Sequence, residues 1–153
     1  MSQTRTDVRA RLPPGGRFIR RAADAPARPG VYVLLIALAV PVSVALPRRE
    51  PVILPSGRYL YCGSAHGPGG LRARLARHMR PGKTLRWHVD RLTEGGEVLG
   101  AWFFLRGTEC GLVAALACLP APVPGFGSSD CRSCQSHLLR WTDGVSLPLA
   151  GRS

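Results

Sequence analysis

The segment Leu71–His78, "LRARLARH", carries the densest chemistry in the chain. Leu71, Leu75 and Met79 recur every four residues, the apolar stripe of a helix. At about 100° per residue, Arg74 and His78 lie side by side on one edge of that stripe, with Arg72 on the other, while Arg77 and Arg80 point away. A guanidinium and an imidazole held beside a core are suited to gripping a phosphate and moving a proton. Just upstream, Gly63, Gly67, Gly69 and Gly70 allow close backbone approach, and a helix N-terminus offers N–H groups and a dipole that favour an anion. The bland alternative is a tight turn followed by a solvated basic helix. "GPGGLR" fits neither GxxxxGK[ST] nor GxGxxG, so a nucleotide triphosphate is not indicated.

Glu109 is the acid most telling for chemistry. With Leu112, Val113 and Leu116 it completes an i, i+3, i+4, i+7 set, so its carboxylate faces the way of buried leucines. A carboxylate so placed calls for a cation or a metal, although an acid in a first helical turn also complements the helix dipole. In "CRSCQSH", Cys131, Cys134 and His137 have the spacing of half a zinc site. A fourth ligand would come from Cys110, Cys118, His78 or His88, none at diagnostic spacing; structural thiols and a buried histidine are preferred over zinc. His88, on an apolar helical face, reads as a core histidine.

The elements that must position these groups follow from the apolar pattern. Strands are expected at 31–37, 42–46 and 58–63, and a further buried strand in "EVLGAWFFL". Helices are expected from Leu71, over 85–92, and from Thr108, an N-cap, to about Leu119. The order β-β-β-α-α-β-α predicts an α+β domain, a small antiparallel sheet flanked by helices. Residues 1–28, rich in arginine, proline and glycine, read as a basic flexible tail, 29–142 as the domain and 143–153 as a C-terminal tail. From Gly30 to Pro47 no residue is charged, but Pro41, Ser43 and the β-branched alternation favour two strands over a membrane span.

With 153 residues and 45% hydrophobic content, the chain has material for one core. Its net charge of +12 points to a polyanionic partner, with a merely soluble basic surface as the alternative. Lys83 is the only lysine. Five cysteines without a secretory signal suit a reducing, cytoplasmic setting, which for a DNA-binding chain means association with the nucleoid.

"GVY" at Gly30–Tyr32 followed by "YCG" at Tyr61–Gly63 resembles the paired motifs that name the GIY-YIG nuclease superfamily. The family's helical arginine with a histidine four residues on matches Arg74 and His78, and its later glutamate matches Glu109. The phrases "YCGSAHGPGGLRARLARH", "LRWHVDRL", "TEC" and "FGSSDCRSCQSHLL" are similar to a subgroup of small domains found alone or fused to DNA-glycosylase-type repair proteins. The resemblance spans residues 30 to 140. It departs in GVY, in Cys62 at an apolar strand position, and in Asp130 standing where some relatives close the site with asparagine.

This resemblance implies a metal-dependent DNA endonuclease in repair or processing. Glu109 would hold Mg²⁺ or Mn²⁺, Arg74 would stabilise the five-coordinate phosphate, and Tyr32 would orient or deprotonate the attacking water with Tyr61 beside it. His78 would share the proton transfer. Tyr32 serves as a base only if nearby cations lower its pKa from about 10. Gly63, Gly70, Arg72, Arg77 and Lys83 would meet the nucleic-acid backbone. The partners implied are DNA, with RNA as an alternative, and a repair protein, for a monomer or weak dimer away from membranes. The competing reading is an inactive nucleic-acid-binding module of the same fold; a zinc-stabilised interaction domain is the third.

Overall fold

The uncharged run from Gly30 is the centre of a sheet. A computed structural model describes residues 6–7, 11–46, 49–126, 136–141 and 145–146. In chain order these form strands β1 (Thr6–Asp7) and β2 (Arg17–Ile19), a 3-10 turn (Ala22–Asp24), strands β3 (Gly30–Leu38), β4 (Val42–Val44), β5 (Val52–Leu54) and β6 (Gly57–Ala65), then helices α1 (Gly70–Met79) and α2 (Asp90–Gly95). Strand β7 (Glu97–Phe104), helix α3 (Glu109–Ala115) and strands β8 (Leu138–Trp141) and β9 (Val145–Ser146) complete the set. The main sheet has the order β2-β7-β3-β6-β8 with every neighbour antiparallel, and β4-β5 and β1-β9 form separate ribbons. The protein is α+β, an antiparallel sheet with helices packed on it.

β3 is apolar throughout because both its faces are covered. Tyr32, Leu34, Ile36 and Leu38 join Leu71 and Leu75 of α1 and Leu92 of α2 in one core. Val31, Val33 and Leu35 join Cys62, Leu112 and Leu116 in a second core under α3. A strand buried on both sides needs no polar alternation, which is why its sequence approaches that of a membrane span. Among the described residues, no helix is long and apolar enough to cross a membrane. Cys62, fully buried, is accepted as a small apolar side chain.

Two helices differ from the sequence expectation. The segment expected to be helical from Leu85 winds only from Asp90. The Asp90 carboxylate accepts hydrogen bonds from the Arg86 and Trp87 amides at 2.7 and 2.8 Å, and these hold the preceding residues in a turn. α3 starts after Thr108, whose hydroxyl accepts from the Gly111 amide at 3.0 Å, but closes at Ala115 rather than Leu119. Leu116 and Leu119 are still buried, carried by successive turns.

Residues 17–28 are the larger correction, for they belong to the fold and not to a tail. β2 pairs with β7, and Phe18 packs edge-on against Trp102, with ring centroids 4.7 Å apart. The Pro26 and Arg28 carbonyls then accept from the Arg72 and Leu71 amides. This docking demands a glycine at position 70: φ is +59°, and a Cβ there would lie 2.4 Å from the Arg28 carbonyl oxygen. Gly70→Ala should therefore cost about 2 kcal/mol or more, read as a lower urea midpoint; an unchanged midpoint would show that the 17–28 segment is not docked as described.

Candidate active site

Tyr32 and Tyr61 stand on the same face of neighbouring strands, because Tyr32 is paired with Gly63 and Tyr61 with Leu34. The glycine opposite Tyr32 makes room for the ring: a Cβ at Gly63 would be 2.5 Å from the Tyr32 hydroxyl. That hydroxyl shares a 2.7 Å hydrogen bond with His78 Nε2, delivered by α1. Burial and then the nearby Tyr61 push the Tyr32 hydroxyl far above the usual tyrosine range, and the opposing pull of Arg74 is smaller. Burial and Glu109 do the same to Tyr61. The condition on which Tyr32 could serve as a base, a pKa lowered by nearby cations, is not met, since desolvation wins. Burial, with Arg74 next, takes His78 down to about 3, so the imidazole is neutral at pH 7.

Arg74 is held rather than free. Its Nη1 donates to the Ser64 carbonyl at 2.9 Å, and its guanidinium lies 4.4 Å from the Trp87 ring centroid. Trp87 also stacks under Arg77 at 4.1 Å and packs its ring against His78. The Trp87 position depends on Asp90, which has no exposed surface, accepts the Trp87 amide, and forms a two-pronged pair with Arg77 at 2.8 and 2.9 Å. Burial pushes the Asp90 carboxyl up, but the Arg77 guanidinium and the two amides outweigh it and hold it at about 2. A buried acid thus fixes an indole, and the indole fixes the arginine beside the tyrosines.

Glu109 reaches the same place from the far side of the sheet. Its half-buried carboxylate lies 3.2 Å from His137 Nδ1. The His137 contact holds it below the usual glutamate range; burial opposes this, and the Ser64 hydroxyl and Arg74 reinforce it. Glu109 therefore has a side-chain partner in His137, with the Arg74 guanidinium near enough to favour its ionised form. Ser64, Trp87 and His137 are the residues sequence reasoning did not assign to this site. The signals were modest: Ser64 directly follows "YCG", and Trp87 sits in "LRWHVDRL".

Several expected phosphate contacts have other duties. The first four amides of α1 are taken by the carbonyls of Gly67, Arg28, Pro26 and Gly69, so the helix N-terminus is not open to an anion. Gly63 and Gly70 accommodate Tyr32 and Arg28 rather than a phosphate. Arg77 is paired with Asp90. Lys83 is buried, 2.6 Å from Glu94 and bonded to the Arg80 and His78 carbonyls, where it neutralises the end of α1. Arg72 is exposed but donates its Nε to the Ala25 carbonyl at 2.8 Å. His88 is half-buried against Phe126, in keeping with a packing histidine. Cys131, Cys134 and Asp130 lie outside the described residues; His137 turns to Glu109, and no cluster of three or more His, Cys, Asp or Glu suited to a metal occurs among the described residues.

A cleft of about 170 Å³ opens next to Arg74, lined by Ala65, Gly67, Pro68, Gly70, Ala73 and Arg77. It makes a concave approach to the arginine from the glycine-rich turn.

No curated protein and no solved structure matches this sequence. A family described as "Domain of unknown function DUF123" matches residues 31–149, which takes in all five residues gathered here, Tyr32, Tyr61, Arg74, His78 and Glu109, and most of the sheet. The match spans well over half of the chain, and the protein belongs to this family.

Proposed function

We propose that this protein is a divalent-metal-dependent DNA endonuclease of the GIY-YIG type, hydrolysing phosphodiester bonds in DNA repair or processing. One observation carries the reading: Tyr32, Tyr61, Arg74, His78 and Glu109, scattered over the chain, converge at one end of the sheet. A core needs none of these groups together, and bringing five polar groups into a largely desolvated corner costs stability, which a role toward a ligand would explain.

Glu109 is the group that would hold Mg²⁺ or Mn²⁺. It is ionised and half exposed, and such hard cations are satisfied by one carboxylate with waters. When bound there, the cation supplies charge neutralisation at the phosphate and the departing 3′ oxygen. Arg74, preorganised by Ser64 and Trp87, meets the charge that builds on the phosphate. Both tyrosines act as neutral phenols, so Tyr32 orients the attacking water instead of removing its proton by itself. His78 Nδ1 is buried without a partner among the described residues, and leaving an acceptor unpaired is less costly than leaving a donor. The imidazole therefore carries its proton on Nε2 and donates to Tyr32. With its oxygen accepting from His78, the Tyr32 O–H is left to donate to the incoming water or phosphate.

A second reading has a specific basis. The contact of Glu109 with His137 gives the carboxylate a partner without any metal, as suits a nucleic-acid-binding module of the same fold that cuts nothing. Incubating the purified protein with labelled duplex and branched DNA separates the two. Cutting with Mg²⁺ or Mn²⁺, abolished by EDTA, is expected; salt-sensitive binding with no cutting on any substrate, with or without metal, would favour the binding module.

A further inference from the structure

The strand order carries a row of residues from the proposed site to the sheet edge. Gly63 pairs with Tyr32, Tyr32 with Phe103, and Phe103 with Arg17. Paired residues share a face, and Ile19, two positions on, is buried in the same core as Tyr32. Arg17 therefore lies on the Tyr32 face, two strands away, or about 10 Å at a strand spacing of ~4.8 Å. There β2 and the following turn border a groove of about 650 Å³ lined by Arg17, Phe18, Ile19, Arg20, Arg21 and Asp24. Arg21 lies 3.6 Å from Asp24 and is partly neutralised. Arg17 and Arg20 are exposed and have no acidic partner among the described residues.

Charged side chains on an edge strand ordinarily guard against pairing with another sheet. That duty does not call for a groove of this size carrying two unneutralised guanidiniums beside the proposed catalytic corner. β2 also lies outside residues 31–149, the span that the family matches. Since α1 offers no anion site at its N-terminus, phosphates flanking the one at Arg74 need another cationic surface.

We propose that the β2 groove is that surface, with Arg17 and Arg20 holding the backbone of the nucleic-acid strand next to the bond addressed by Arg74. The inference rests on nucleic acid as the partner and not on cleavage.

The test is DNA binding in EDTA over a series of KCl concentrations, read by fluorescence anisotropy of a labelled duplex. The double variant Arg17→Ala/Arg20→Ala should lower the slope of log K against log salt by about 1.8, the release expected for two phosphate contacts. Arg17→Lys/Arg20→Lys should keep the wild-type slope. Arg58→Ala/Arg91→Ala removes equal charge, with Arg58 at the opposite end of β6, and should leave the slope near wild type. An unchanged slope in Arg17→Ala/Arg20→Ala, an equal fall in the control, or no binding of DNA by the wild-type protein would overturn the groove. So would Arg17- and Arg20-dependent binding to phosphatidylserine vesicles without the change of slope on DNA. If the slope falls as expected but the wild-type protein never cuts, the endonuclease reading fails and the groove stands. If it cuts and the slope is unmoved, the reverse holds.

Discussion

Replacing Glu109 with Gln is expected to slow DNA cleavage about 10³-fold while leaving DNA affinity close to wild type. The substitution keeps the size of the side chain and its ability to accept from Ser64, but removes the charge that would hold the cation. Its neighbours His137 and Arg74 lose an acidic partner, yet the position is only half buried, so the fold should tolerate the change. Arg74→Ala should slow cleavage by about 10²- to 10³-fold and also weaken binding, because its guanidinium meets the phosphate in both ground and transition states. Single-turnover cleavage with saturating protein reads chemistry apart from binding. The pair gives a distinctive pattern: Glu109→Gln lowers the rate alone, whereas Arg74→Ala lowers both. Cleavage by Glu109→Gln at the wild-type rate would remove this carboxylate from the mechanism, and with it the proposed metal position.

The second large effect is on stability in acid. His78 is neutral when folded, with its pKa at about 3 against 6.5 for an unperturbed histidine. The unfolded chain therefore takes up a proton at a higher pH than the folded one does. Folding is favoured by this group at neutral pH, and the advantage is lost as pH falls from 6.5 towards 3. At pH 4 the loss amounts to about 3 kcal/mol. His78→Gln cannot be protonated and can still bond Tyr32, so its stability should be flatter across this range. Urea unfolding at pH 7 and pH 4 measures it: the wild-type protein should lose about 3 kcal/mol more than His78→Gln. Equal losses would mean that His78 is reached by water in the folded state, contrary to its burial beneath Trp87 and Tyr32. Asp90 acts in a lower window. Its carboxyl falls from 3.8 to about 2 on folding, so its stabilisation is present above about pH 4 and is lost progressively as pH falls from there to about 2.

The sequence by itself determined the main elements and pointed to the principal members of the candidate site. Central strands β3 and β6 and the stripe of α1 were legible because periodicity and continuous apolar runs are local consequences of burial. Arg74 and His78 were legible as neighbours because helical geometry alone puts residues four apart side by side. Glu109 was legible from its place on an apolar face. The tertiary structure decided what no local pattern encodes. β2 and β8 are only three and four residues long and are held by pairing with β7 and β6, so they leave almost no periodic trace. Residues 17–28 read as a tail until Gly70 admits the Arg28 backbone and the α1 amides find carbonyls there. Arg77 and Lys83 looked like phosphate contacts because unpaired and paired cations are identical in a sequence. Their partners, Asp90 and Glu94, are brought in by the turn between α1 and α2. The direction of the tyrosine pKa shifts was not legible for a related reason: charge can be counted along a chain, but desolvation depends on how much of the fold closes over the group, and here it outweighs every nearby arginine.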